Sequence, residues 1–321
     1  MTGKACWVLS NGRAGTENQC VGLAEAVGLP FVVKQVRVRP PWRWLPPRLW
    51  FRALRALDPD SDPLGPPWPD LVIACGRTTE AVALAIRKES ASGGKRAFVV
   101  YLQRPSNRAS AFDLLAPPRH DRVRGDNVVE TRGALHRVTP ERLAEGTIAA
   151  APLVQNLPRP LIAVLAGGTG NAYRMTEDAA RTLGGQIRRL TEKGDVGLAV
   201  TVSRRTGAVN EQILRQELEG TPTFFWDGRG DNPYFGFLGL ADAIVVTADS
   251  VSMVSEACST GKPVYVAEIP GGSAKFQRFH AGLRSDGATR PFAGTIENWS
   301  SVALDDTAHV AAVIRDRLNL L

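Results

Sequence analysis

The sequence predicts an α/β protein made of two doubly wound parallel-sheet domains. Three observations predict it. Short buried strands alternate with helices through the first half. A Pro/Ala-rich passage, residues 149–160, interrupts the alternation, which then restarts. Residues 241–266, ADAIVVTADSVSMVSEACSTGKPVYV, spell a complete strand-turn-helix-strand unit. Repeated strand-helix units imply a parallel sheet with helices on its faces. A length of 321 residues allows two domains, each of about 150.

The first domain, expected over residues 1–150, opens with a buried strand, Cys6 to Ser10. The loop Asn11 to Gly15 follows, and then a helix from Glu17 to Val27, with Thr16 as its N-cap and Gly28 as its stop. Phe31 to Val38 alternates like a strand. Leu71 to Ala74 is a buried run that leads into Cys75-Gly-Arg-Thr-Thr79 and a helix to about Lys88. Arg96 to Leu102 and Phe112 to Ala116 read as further strands. The passage 149–160 reads as an interdomain linker.

The second domain, expected over residues 151–321, begins with the strand Leu161 to Leu165 and the turn Gly167 to Gly170. Thr176 caps a helix to about Thr191. The strand Gly197 to Val202 runs into Ser203-Arg-Arg-Thr206, and a helix covers about Val209 to Leu218. Thr223 to Trp226 is a strand that precedes Asn232-Pro-Tyr234. Ala243 to Thr247 is a strand, followed by the turn Ala248-Asp249-Ser250 and a helix of small residues that carries Glu256. Gly261 ends that helix, Pro263 prevents its continuation, and Val264 to Ala267 completes the unit. A closing helix starts near Thr307.

Composition excludes several classes. Hydrophobic content of 44% supports sizeable cores rather than a disordered chain. No apolar run approaches the ~20 residues needed to span a bilayer. The N-terminal sequence enters a strand at once, so no signal or transit peptide is expected. Cys6, Cys20, Cys75 and Cys258 are scattered, which points to buried thiols in a reducing compartment and not to a disulfide framework or a zinc site. No cofactor is expected. The turn at Gly167 is not G-x-G-x-x-G, and no acid follows at a dinucleotide-binding spacing.

The net charge of +7 is concentrated in the first half, where 22 Lys/Arg stand against 14 Asp/Glu. From Lys34 to Arg55 there are seven basic residues, three tryptophans and no acid. A helix from about Pro47 would place Trp50, Leu54 and Leu57 on one face and Arg48, Arg52 and Arg55 on another. Together with Trp42, Arg43 and Trp44 this is the pattern of an interfacial segment on an anionic membrane, or of an amphipathic helix docked on its own sheet. The basic residues are local and no nucleic-acid motif accompanies them, so nucleic acid is not an expected partner.

Four places in the second half carry ligand chemistry. Ser203, Arg204, Arg205 and Thr206 lie at a strand's C-terminal end, where open α/β sheets bind ligands, and arginine matches phosphate oxygens bidentately. Gly167, Gly168 and Thr169 form either a phosphate-facing nest or a plain glycine turn. Asp249, Ser250 and Ser252 lie at a helix start, which suits an anion. Glu256, two turns into that helix, is either placed to accept hydrogen bonds from a ribose diol or a solvent-facing residue of an ordinary βαβ unit.

The order strand, Ser-rich turn, Ser255-Glu256, Gly261, Pro263 resembles the nucleotide-sugar half of the GT-B N-acetylglucosaminyltransferases that make the peptidoglycan lipid precursor. A wider set resembles the elongated-mitochondria family, the plant mitochondrial-fission proteins and their bacterial relatives. It comprises Asn11-Gly12, Gly15-Thr-Glu-Asn-Gln-Cys20, Gly22-Leu23, Pro69-Asp70, Cys75-Gly-Arg-Thr78, Gln103-Arg-Pro105, Phe112-Asp113, Pro118-Arg-His-Asp121, Ser203 to Thr206, Asn232-Pro-Tyr234 and Thr247 to Gly261. The chain is similar to a bacterial-type member. The resemblance implies a GT-B-like plan, two Rossmann-like domains facing a cleft. It implies a UDP-type donor on the second domain, with Glu256 on the ribose. It implies an acceptor, a membrane lipid or envelope-glycan precursor, handled by Asn11, Gly12, Arg13, Gly15 and Gln19.

The peptidoglycan enzymes carry a histidine in the first glycine loop, where this chain has Thr16 and Glu17. No base is therefore implied at that place, and Glu17, His120 or neither of them is open as the candidate. The expected function is glycosyl transfer by a cytoplasmic protein, peripheral on the inner face of the membrane. A UDP-sugar 2-epimerase and a non-catalytic membrane scaffold of the fission type are the alternatives.

Overall fold

Apolar runs of four to six residues form the centre of each sheet, and among the described residues every pairing within the two sheets is parallel, with antiparallel contacts only at the isolated bridges Val38–Leu57 and Tyr173–Gly271. The computed structural model describes residues 3–192 and 194–320. They form two units, the described parts of Met1–Arg137 with Asp305–Leu321, and Val138–Leu304.

The first unit contains β1 (Cys6–Ser10), α1 (Ala14–Val27), β2 (Phe31–Gln35), β3 (Leu71–Ala74), α2 (Arg77–Ser92), β4 (Phe98–Tyr101) and β5 (Leu114–Leu115). Its sheet order is β2-β1-β3-β4-β5. Alternate residues of each strand feed two cores, as the period-2 pleat requires. Cys6, Val8, Leu71, Ile73 and Val100 join the core with α1. Trp7, Leu9, Val72, Val99 and Tyr101 join the core with α2. Cys6 is buried deeply enough that its thiol is pushed up to about 12, the behaviour of an inert core thiol.

The second unit contains α3 (Pro140–Val154), β6 (Leu161–Ala166), α4 (Glu177–Glu192), β7 (Gly197–Val202), α5 (Ala208–Glu217) and β8 (Thr223–Phe225). They are followed by α6 (Tyr234–Leu240), β9 (Ala243–Thr247), α7 (Val251–Ser259), β10 (Val264–Ala267), α8 (Ala274–Ser285) and β11 (Arg290–Pro291). Its sheet order is β11-β10-β9-β6-β7-β8. The strand order reverses between β6 and β9, and a crevice opens outside the carboxyl ends of the strands at such a switch point.

The units divide at Arg137/Val138 and again at Leu304/Asp305, whereas the sequence suggested one boundary near residue 155. Much of the expected linker is helical. α3 starts at Pro140, is capped by Thr139, and packs against α6 so closely that a Cβ on Gly236 would meet Ala150 Cβ at 2.3 Å. The closing helix α9 (Asp306–Arg317) belongs to the first unit. Its Asp306 accepts from the N–H groups of Arg132 and Gly133, and Arg315 donates to Ala26 O. Sequence periodicity marks a helix but not the sheet it returns to.

The segment from Trp42 to Leu57 also departs from expectation. In place of one helix it holds three short 3-10 turns, Trp42–Trp44, Pro47–Leu49 and Ala53–Ala56. Arg52, at φ +50°, interrupts the last two. Trp50 turns inward, donates its indole N–H to Leu45 O at 3.1 Å, and is buried with Trp7 and Val36. It is a core residue and not a membrane contact. Trp42 is half-buried, while Arg43, Trp44, Arg48 and Arg52 are exposed.

Candidate functional site

Three loops meet at the C-terminal edge of the second sheet, two of them flanking the switch point. Asp249, after β9, ties them together. Its carboxylate accepts from Gly168 N (2.9 Å) and Thr247 Oγ1 (2.7 Å), and pairs with Arg205 Nη2 (2.8 Å). Thr206 is buried and its hydroxyl donates to the carbonyls of Ala166 and Gly167. Asp249 and Thr206 therefore hold the site's frame and do not face a ligand.

The glycine turn serves the same frame. Its four N–H groups all have protein acceptors: Gly167 to Thr247 Oγ1, Gly168 to Asp249, Thr169 to Arg205 O and Gly170 to Tyr173 O. A Cβ on Gly168 would lie 2.1 Å from Arg205 O, and one on Gly167 would lie 2.2 Å from Asp249 Oδ1. These glycines permit close approach of two loops. Of the two readings open at the sequence, the plain turn matches the geometry, and Gly167, Gly168 and Thr169 offer no unused N–H to phosphate.

Exposed on these loops are Thr169, Gly170, Arg204 and Arg205, with Ser203 half-buried and its Oγ accepting from Arg205 N at 3.2 Å. Beside them α7 begins. Ser250 caps it by accepting from Met253 N, and no protein acceptor takes the N–H groups of Val251 and Ser252 among the described residues. Such a helix start favours negative charge. Ser252 is half-buried, and Ser255 is spent on Val251 O.

Glu256 lies one turn further along α7. It is buried, and Tyr234 donates to its Oε2 at 2.5 Å. No protein hydrogen bond reaches Oε1 among the described residues. Burial raises the Glu256 carboxyl to about 7, and the Tyr234 hydrogen bond opposes the rise. The Asn232-Pro-Tyr234 motif thereby gains a role that sequence reasoning missed. It starts α6 so that Tyr234 reaches an acid 22 residues away. His280 of α8 was also missed. It is buried and its Nε2 lies 2.8 Å from Ala248 O, which steadies the turn before α7, and desolvation lowers its pKa.

In the first unit, Asn11 Oδ1 accepts from Arg13 N and Thr16 Oγ1, so Thr16 braces the loop and α1 starts earlier, at Ala14. Gly12 N donates to Ser10 Oγ, which in turn donates to Glu17, and Glu17 also accepts from Gln35 Nε2 at 3.2 Å. Gln19 is buried, donates to Gly15 O and faces the Cys75 thiol, so it supports the loop from below rather than meeting an acceptor.

His120 is buried, with Nε2 3.8 Å from Asp121 Oδ1, beyond hydrogen-bonding reach. Glu17 follows β1 and His120 follows β5. These strands are three places apart in the sheet, roughly 14 Å, so the two candidate bases do not form one site. Glu80 on α2 was not foreseen. Buried at 1% exposure, it accepts from Ser106 N and Oγ and from Asn107 N and Nδ2, which fixes the loop after β4. No cluster of three or more metal-ligating side chains occurs among the described residues.

Solved structures share this fold. MurG of Acinetobacter baumannii aligns with a TM-score of 0.56 at 12% identity, over 98% of this chain and 99% of that one. UDP-GlcNAc 2-epimerase from Neisseria meningitidis, bound to UDP-GlcNAc, aligns with a TM-score of 0.51 at 14% identity, over 99% and 100%. The fold is thus of the GT-B-like class, two parallel-sheet α/β units. The mitochondrial fission ELM1 family matches over residues 14–318, and the chain belongs to that family. Mitochondrial fission protein ELM1 of Arabidopsis thaliana is 32% identical over 390 aligned positions, covering 97% of this chain and 90% of the plant protein.

Proposed function

We propose that the chain is a glycosyltransferase that takes a sugar from a nucleotide-activated donor, UDP-linked, and passes it to a lipid or glycan acceptor. One observation carries this reading. A buried acid, Glu256, keeps one carboxylate oxygen open two turns into a helix whose first N–H groups are unused, beside the exposed Arg204. A ribose diol fits the acid, and a diphosphate fits the helix start and the arginine. As the donor's C1–O bond breaks, Arg204 and the α7 N–H groups would hold the charge left on the diphosphate. The first unit, with Asn11 to Gly15, would serve an acceptor presented at an anionic membrane face. The Neisseria neighbour, bound to UDP-GlcNAc, supports the choice of nucleotide.

Calorimetry with UDP, GDP and CMP tests the donor. Wild type should bind UDP, and Glu256→Ala should weaken it by a factor of ten or more, from loss of hydrogen bonds to a charged group worth about 1.5–3 kcal/mol. Wild type that binds no nucleotide at millimolar concentration would remove this reading.

A second reading, a non-catalytic scaffold, draws on the fission protein from Arabidopsis and on the pairing of Arg205 with Asp249, which leaves Arg204 as the less committed cation. A third, a UDP-sugar 2-epimerase, draws on the Neisseria fold likeness. Conversion of a UDP-sugar to its C2 epimer without any acceptor would favour the epimerase, and complete indifference to nucleotides would favour the scaffold.

A further inference from the structure

Nine large hydrophobic side chains are exposed among the described residues, and four of them fall within eight positions: Trp44, Leu45, Leu49 and Phe51. Trp44 is 67% exposed and Phe51 86%. They are displayed rigidly. Arg77 donates to the carbonyls of Arg43 and Leu45 at 3.2 and 2.9 Å, Arg39 donates to Arg55 O, and buried Trp50 anchors the centre through Leu45 O. The arginines of this stretch, Arg43, Arg48, Arg52 and Arg55, are all exposed. No acid occurs between Lys34 and Leu57. A groove of about 730 Å³ runs beside the segment, its lining including Leu54, Leu84 and Ala85, the basic Arg48, Arg55 and Lys88, and one acid, Glu89.

We infer that this face docks the protein on an anionic phospholipid bilayer. Charge complementarity selects that occupant: Arg43, Arg48, Arg52 and Arg55 are exposed and in no ion pair among the described residues, whereas Arg37 is paired with Asp60, and these four guanidinium groups would meet a surface of phosphates. The arrangement of the apolar side chains agrees. They are interleaved with guanidinium groups instead of being gathered into a dry patch. Apolar tips can therefore enter the acyl boundary while arginines stay at phosphate level. No helix among the described residues is long and apolar enough to cross a membrane, so attachment through this face is peripheral. The inserting residues are Trp44, Leu45, Leu49 and Phe51; Trp50 is not among them.

The test is co-sedimentation with phosphatidylcholine vesicles, with and without phosphatidylglycerol, at low and high salt. Binding is read without turnover, so its outcome is separate from that of the nucleotide experiment. Wild type should sediment with phosphatidylglycerol vesicles at low salt and release as salt rises. Arg48→Gln with Arg55→Gln should weaken binding about fivefold per arginine. Trp44→Ala with Phe51→Ala should weaken it tenfold or more, while Val209→Ala, an exposed apolar position on the second unit, should not. Brominated phosphatidylglycerol should quench tryptophan emission, less so in Trp44→Phe, which keeps the test open if the double alanine variant fails to fold. Wild type left in the supernatant at low salt would overturn the inference. So would equal binding to neutral vesicles, or no quenching by brominated lipid.

Discussion

The Tyr234 hydroxyl donates to Glu256 Oε2 at 2.5 Å, joining the start of α6 to the middle of α7. The acid is held near pKa 7 by burial, so folding stability depends on its titration. Between the ordinary carboxyl value of 4.5 and about 7, the folded state keeps a proton that the unfolded state has lost. Stability therefore falls as pH rises through this window and levels off above it, by on the order of 3 kcal/mol at most. Glu256→Gln does not titrate. Its melting temperature should match wild type near pH 4 and exceed it by a growing margin up to about pH 7. A constant margin across that range would mean the carboxyl titrates normally.

The Gly168 contact separates packing from phosphate binding. A Cβ there would meet the backbone of Arg205, whereas a Cβ on Gly170 would meet only Arg205 Nη1 at 3.3 Å. Gly168→Ala should destabilise the second unit by about 1–3 kcal/mol, the usual overpacking cost, and Gly170→Ala should stay within about 0.5 kcal/mol of wild type. Urea melts of both variants decide it. A stable Gly168→Ala that loses only nucleotide affinity would return the turn to the phosphate.

These contrasts show what a linear sequence displays. The strands at Cys6, Leu71, Leu161, Gly197, Ala243 and Val264 are legible because continuous apolar runs bounded by turn residues have few other structures open to them. The Ser250 and Glu256 positions are legible because helix start and periodicity are local. The roles of Asp249, Tyr234, His280 and Glu80 are not, since each depends on a partner at least two residues away in a geometry that only the fold creates. Trp44 and Trp50 differ in burial although they share a basic, proline-flanked context. The difference comes from the backbone turn at Pro46 and Pro47, which helical spacing does not anticipate.

Arg204 and Arg205 should separate by experiment. Arg205 Nη2 lies 2.8 Å from a carboxylate that is 1% exposed, while no ion pair holds Arg204 among the described residues. Arg205→Met removes one of three partners of a buried acid and should cost about 1–3 kcal/mol of stability. Arg204→Met should leave the melt within about 0.5 kcal/mol of wild type and weaken diphosphate binding. Lysine at 204 should restore only part of the affinity, since it lacks the fork that matches two oxygens. Equal melts and equal affinities for both methionine variants would show two solvated arginines.

Glu80 gives the sharpest test in the first unit. It is buried, and the backbone N–H groups of Ser106 and Asn107, with both side chains, point at its two oxygens. Glutamine is the same size but replaces one acceptor oxygen by an amide donor, so at least one N–H of the loop would face another N–H. Hydrogen bonds to a charged group contribute about 1.5–3 kcal/mol each. Glu80→Gln should therefore lower stability by roughly 2 kcal/mol or more and release the loop after β4. Limited trypsinolysis reads the release at Arg108, because Pro105 protects the bond after Arg104. Glu89→Gln, exposed near the end of the same helix, is the control and should change neither the melt nor the digest. An intact Arg108 bond in a Glu80→Gln protein with a wild-type melt would mean that the Gln103–Asn107 loop is held by its own turns and that the acid is dispensable.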